Sequence, residues 1–469
     1  MRSLFILLIL TFGVQGAFAK NVKLFGKHAA YANTQIEVIC YEDAFSKNQK
    51  RLALMQVDGN GEFSADFELT ETQMLTLPLG VFRGYFYAEG GMTYELSLPP
   101  RHDLSPAQHL DPFFEPQDLF LGFRNADKQG LNALINEFNY KLDNFINQNF
   151  EGIYNRRSSS LGLEFAKRIE EEFSAVKNPF FQVYKEYRLG FLDYLASPEA
   201  YMSLEKRYFA NRVLSLNNPA YTILFTKLYD NFLATGLNRK ANSKLEKALG
   251  CSDSYQQLTK VMKAYPAYSD KHFRDLLLAK SIFDGAEKGT LTRRKAIAIL
   301  KQVKLNAGDT RVVKLTENYI AKLSHLLKNS PAPDFSVREI ALSSYKGKYL
   351  YLNFCNTTSS VWESNFEQIK KLKDAFGEQI EFLSLASDID PVRFKNRLKQ
   401  KDFSWPIVRI EENNPILKDY QIKAFPTYII INPEGKVYQY PARGPKDGIE
   451  RVFVKIQREE LRKTYSKQN

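Results

Sequence analysis

Tyr349-Leu350-Tyr351-Leu352-Asn353-Phe354-Cys355-Asn356-Thr357-Thr358-Ser359-Ser360-Val361-Trp362 is the stretch from which the rest of the chain can be placed. An apolar run of the kind that forms a buried strand gives way to polar residues at Asn356. From Val361 apolar residues return at helical spacing, with Phe366, Ile369, Leu372 and Phe376. The pattern predicts a strand, a turn and the start of a helix. Further on, Lys423-Ala424-Phe425-Pro426-Thr427 leads into a second apolar run, Tyr428-Ile429-Ile430-Ile431. The turn Asn432-Pro433-Glu434-Gly435-Lys436 closes that run.

This order resembles the thioredoxin fold, in particular the TlpA-like periplasmic family of thiol-disulfide oxidoreductase-like proteins. There a motif such as N-F-W-A-T-W-C-G-P-C occupies the strand–helix junction and a cis-proline before Thr faces it. Asn353 and Phe354 match that motif, and Phe425-Pro426-Thr427 with its hairpin matches the cis-proline strand. The resemblance implies a cis Phe425–Pro426 bond and a groove formed by Phe425, Pro426 and Thr427. Ser330-Pro331-Ala332-Pro333-Asp334-Phe335 matches the family's A-P-D-F opening, so the likeness runs from residue 330 to 469. Within it we expect strands at 349–354, 380–386, 427–431 and 437–440, and helices at 361–376, 392–401, 416–420 and 448–462.

The chemistry departs from the family. Ser359-Ser360-Val361-Trp362 stands where the family carries Cys-x-x-Cys, so Ser359 and Trp362 occupy the two cysteine positions. Thiol exchange needs a thiolate, and a helix N-terminus lowers a cysteine pKa toward neutrality, whereas a serine hydroxyl ionises far too weakly for the same help to activate it. A serine nucleophile would need a neighbouring base, but His28, His102, His109, His272 and His325 all precede this domain. The four degenerate positions therefore read as thioredoxin-shaped and redox-silent, with no catalytic residue, cofactor or metal ligand assigned. Two readings of Trp362 stand side by side. Either Ser359 caps the helix and Trp362 packs inward, or Trp362 and Phe425 anchor a partner in the groove. A monothiol enzyme working through Cys355 is the alternative function. Cys355 lies four residues before the first cysteine position, where the resemblance implies a core-facing side chain.

At 469 residues the chain has room for about three domains. Arg2, the apolar run Leu4–Val14 and Ala17-Phe18-Ala19 read as a secretory signal peptide, residues 1–19, cut after Ala19. The protein is therefore expected to be exported, periplasmic in the sense of the family, with no transmembrane segment after cleavage. The formal charge of +12 is spread among Glu and Asp on helical faces, which reads as a solvated basic surface rather than a nucleic-acid site. The expected partner is an unknown exported protein or peptide. Only Cys40, Cys251 and Cys355 are present. Cys40 and Cys355 sit in strand-like runs and read as buried, and Cys251, after Gly250 in a polar stretch, reads as exposed.

Residues 20–104 carry short alternating runs, the turn Val57–Phe63 and a Gly90-Gly91 hairpin, which predict an antiparallel β-sandwich. Tyr85, Tyr87 and Tyr94 either pack that sandwich or recognise carbohydrate, the latter making the chain a carbohydrate-handling accessory protein. Pro99–Pro106 reads as a linker. Residues 105–329 read as an all-α domain, with helices expected at 183–195, 208–216, 220–233, 255–264, 272–284 and 293–302 among others. Glu170, Glu171 and Glu172 are consecutive, so they point to different sides of a helix as a solvated face does.

Overall fold

A computed structural model of the chain describes residues 19–105, 108, 114–197, 201–411 and 414–468. The signal segment falls on residues 1–19, nearly all of which lie outside the described residues. The described residues up to Asp103 together with those of Pro116–Ile320 form one compact unit, and the described residues from Ala321 onward belong to a second.

In the first unit two sheets face each other. One orders strands Glu62–Leu69, Lys20–Lys27, Thr93–Ser97 and Gly122–Phe123. The other orders Gln49–Gln56, Gln35–Tyr41, Gln73–Leu79, Phe82–Ala88 and Gln117–Phe120. Val22, Leu24 and Leu96 of the first meet Val38, Leu75 and Phe86 of the second in one core, as alternating inward residues do in a sandwich. The strands at 117–123 fall in the stretch read as helical and instead extend both sheets. Helices follow from Leu131 to Ser324, and they dock onto the sandwich through buried polar contacts. The Asn132 side-chain amide donates to Tyr87 O at 2.7 Å and its oxygen accepts from Tyr87 N at 2.8 Å. Asn318 donates to Asp43 at 2.8 Å.

The helix expected at 208–216 is instead Tyr201–Tyr208 followed by irregular backbone, in which Asn211 takes a left-handed φ of 56°. The helix expected over 220–233 likewise divides at Asn231, φ 59°, since asparagine tolerates that conformation and ends helices there. Glu170 is not only part of a solvated face: it pairs with the buried Lys185 at 2.6 Å.

The second unit is thioredoxin-like. Its sheet orders Ile407–Ile410, Ile380–Ser387, Tyr349–Cys355, Thr427–Ile431 and Val437–Gln439. The first three strands run parallel, Thr427–Ile431 pairs antiparallel to the central strand, and Val437–Gln439 pairs antiparallel to Thr427–Ile431. All seven residues of the central strand are buried, because helices cover both faces of such a sheet. Its alternation divides the core in two: Leu350, Leu352 and Phe354 face one cluster, and Tyr349, Tyr351 and Cys355 face the other. Helices Ser360–Phe376, Pro391–Lys399, Pro415–Asp419 and Glu450–Gln468 complete the unit. The Ile407–Ile410 strand was not among the expected elements, being only four residues long.

Candidate functional site

The site lies where the central strand ends. Phe354 is level with Thr427 across the antiparallel ladder, so one further step brings Pro426 beside Cys355. The Phe425–Pro426 bond is cis, as the resemblance implies. Phe425, Pro426 and Thr427 are half-buried, and the Thr427 hydroxyl donates to Ala424 O at 2.7 Å.

On the other side of the site, Asn356 to Ser359 turn into the helix. Ser359 is its N-cap: the Oγ accepts from Trp362 N at 3.1 Å, satisfying one of the backbone donors that every helix start leaves open. Glu363 in the first turn places a negative charge where the helix dipole favours it. Thr358, Ser360 and Val361 are exposed, Val361 to 46%.

Trp362 corrects one of the two readings of its role. It is 4% exposed and packs on Phe366, ring centroids 5.1 Å apart, within the core cluster that also holds Cys355 and Trp405. The indole belongs to the core and is not an anchor presented to a partner. The physical reason is helical phase, since Trp362, Phe366, Ile369 and Leu372 share the buried face while Val361 points outward.

Cys355 is 1% exposed, and burial pushes its thiol well above the usual cysteine range, with the nearby Asp388 carboxylate acting in the same direction. A buried thiol held protonated is a poor nucleophile and a poorly accessible partner for a disulfide, which weighs against the monothiol reading. The tyrosines put forward for carbohydrate are likewise committed to packing. Tyr87 and Tyr94 are 3% and 7% exposed, Tyr85 packs edge-on against Phe120, and Tyr94 Oη accepts from Glu89 N at 2.9 Å.

A polar lock beneath the turn was not foreseen from the sequence. Asp388, at the end of the neighbouring parallel strand and 2% exposed, accepts from the Thr357 hydroxyl at 2.9 Å and from Thr357 N at 3.2 Å. Arg397 donates to Thr357 O at 2.5 Å, and Arg409 donates to Asp388 O at 2.7 Å. Asn356 reaches the same strand, donating to Ser387 O at 2.8 Å while its oxygen accepts from Thr358 N at 2.9 Å. The turn that carries cysteines in the resembling family is here clamped to the adjacent strand. The available signal was topological: polar side chains at the ends of neighbouring parallel strands converge at one edge of an open α/β sheet.

Burial holds the Asp388 carboxyl above its usual range, although the Thr357 hydrogen bonds and the Arg397 and Arg409 charges pull the other way. The folded state therefore binds this proton more tightly than the unfolded chain. That contribution to stability is fully present below the ordinary carboxyl value of about 4 and is lost as pH rises through the folded value. Relative to Asp388→Asn, the unmodified protein is expected to lose stability as pH rises above about 4, read by urea unfolding at each pH. Parallel profiles for the two proteins would remove Asp388 as the cause.

Residues 327–440 match the AhpC/TSA family. The chain is 29% identical over 149 residues to the thiol-disulfide oxidoreductase ResA of Bacillus cereus, covering 30% of this chain and 86% of that protein. It is 28% identical over 116 residues to ResA of Bacillus subtilis, covering 24% and 64%. Among solved structures, the thioredoxin domain of a Bacteroides vulgatus thiol-disulfide oxidoreductase is similar at 23% identity, covering 28% of this chain and 98% of that one, TM-score 0.25. The exposed lipoprotein thioredoxin of Streptococcus pneumoniae is similar at 24% identity, covering 26% and 99%, TM-score 0.24.

Proposed function

We propose that this is an exported, periplasmic thioredoxin-fold protein without redox activity, whose C-terminal unit binds or positions an extended segment of another exported protein. The observation that carries the reading is Ser359: at the first cysteine position its Oγ is engaged as the helix cap, 3.1 Å from Trp362 N. Burial of Cys355 supports it, because the nearest thiol in sequence is enclosed at the end of the central strand. What remains for a partner is the backbone before Thr427, the half-buried Phe425 and the exposed Val361 beside the helix start. Main-chain pairing with an extended peptide is a recognition mode that needs no thiol. Export rests on the expected signal peptide, and among the described residues no helix is long and apolar enough to cross a membrane.

The test is a photocrosslinker placed at Val361 in exporting cells, with one at Val392 as control. Val392 is 66% exposed and lies on a different helix of the same unit. A discrete adduct from Val361 alone is expected. Equal adducts from both positions, or none from Val361, would count against the groove.

A further inference from the structure

Between the helix Arg239–Leu249 and the helix that follows it, Ser254–Met262, the first unit holds a cleft of about 570 Å³ to which the reading above gives no role. Small apolar side chains, Ala241, Ala248, Val261 and Ala264, line part of it. Lys240, Lys244, Lys247 and Lys260 line the rest together with a few neutral polar residues, and no Asp or Glu is among the lining residues. Asn238, before the first helix, donates to Tyr265 Oη at 2.8 Å and marks one end of the cleft; Cys251, after that helix, marks the other.

The lysines come from both walls. Lys240, Lys244 and Lys247 follow one another at i, i+4 and i+7 and share a face over about 10 Å of helix axis, and Lys260 belongs to the opposite helix. Like charges at such spacings destabilise a helix, and none of the four takes part in an ion pair among the described residues. Glu246, the acidic residue of the first helix, lines a different cavity, and Asp253, just before the second, accepts from the Gln257 amide at 2.7 Å. Four ammonium groups that converge on one cleft and meet no counter-charge from the chain point to an anion supplied from outside.

Their distribution gives that anion its class. A single anionic head group would engage one end of the cleft, whereas these lysines repeat along it, so the ligand carries charge at intervals. In an extended peptide the side chains of one face recur about every 6.6–6.8 Å, close to the rise of about 6 Å from Lys240 to Lys244, and the side chains between them point the other way. A phosphate chain has no apolar side to set against Ala241 and Val261, and the cleft offers no arginine fork for it. Five extended residues span about 16–18 Å, the length of the helix Arg239–Leu249.

We propose that this cleft binds an extended acidic peptide segment with carboxylates at alternate residues and small aliphatic side chains between them. The lysines pair with the carboxylates, and the alanines and Val261 take the aliphatic side chains. The inference concerns the first unit and stands independently of the groove in the second.

The probe is Glu-Val-Glu-Val-Glu with both termini blocked, titrated calorimetrically into the full-length protein alongside Gln-Val-Gln-Val-Gln and inorganic tripolyphosphate. The acidic peptide is expected to bind saturably and about tenfold more tightly than the glutamine peptide, the sum of several exposed ion pairs. Its affinity should fall as salt rises from about 0.05 M to about 0.5 M, and saturating peptide should slow alkylation of Cys251 by iodoacetamide. The triple variant Lys240→Gln, Lys244→Gln, Lys247→Gln should lose about tenfold in affinity, while Lys227→Gln, on the helix Pro219–Leu228 outside the cleft, should lose none. All four of these side chains are exposed, so unchanged thermal unfolding will show that the variants are folded. No saturable binding at millimolar peptide, equal affinity for the glutamine peptide, undiminished binding by the triple variant, an equal loss in Lys227→Gln, unchanged alkylation of Cys251, or tighter binding of tripolyphosphate than of the peptide would each overturn the assignment.

Discussion

Trp362→Ala is expected to destabilise the C-terminal unit by about 3–5 kcal/mol, the cost typical of truncating a large aromatic side chain in a packed core. Trp362 is 4% exposed and sits in one cluster with Cys355, Phe366 and Trp405, so the substitution removes its contacts and leaves a cavity that the surrounding sheet and helix can fill only in part. Trp362 and Trp405 are the chain's two tryptophans, both in this unit, so in the variant Trp405 fluorescence follows the unfolding of this unit alone. A urea midpoint within error of the unmodified protein would place the indole outside the core and restore its reading as a surface anchor.

Ser359→Cys is expected to install a reactive thiol where the chain now has a cap. At the helix start the aligned backbone dipoles stabilise a thiolate, lowering a cysteine from about 8.5 to as low as about 3.5–7.5. At pH 7 an ordinary exposed thiol is only a few per cent ionised, so the new cysteine should react with iodoacetamide roughly tenfold faster than Cys251, the exposed cysteine already present. The substitution also exchanges a good cap for a poor one, which costs about 1 kcal/mol. Alkylation no faster than at Cys251 would mean that this helix start does not stabilise an anion, and that more than two side chains separate it from an active thioredoxin.

Much of the second unit was legible from sequence because local pattern and burial agree there. The central strand is apolar throughout since both its faces are covered, and the Asn432–Lys436 turn follows a run that could only be a strand. The inward orientation of Cys355 was legible as well, and the structure buries it. Trp362 shows where the reading stopped short. Counting the helix from Val361 put the apolar stripe out of phase, whereas the spacing Trp362, Phe366, Ile369 already placed the indole on the buried face. The Thr357–Asp388 lock was not legible, because its partners lie 31 residues apart and meet only once the strands are paired in register. In the first unit, the helix Arg239–Leu249 buries only Ala241, Leu245 and Ala248. So thin an apolar stripe escaped a search for periodicity.

Disulfide reduction by the purified protein tests the central claim most directly, with insulin as substrate and thiol reductant supplied. The account predicts turnover at the background rate, the same for the unmodified chain and for Cys355→Ala, because Ser359 and Trp362 hold the cysteine positions and Cys355 is buried with its thiol protonated. Turnover comparable to an active thioredoxin, abolished by Cys355→Ala, would contradict it.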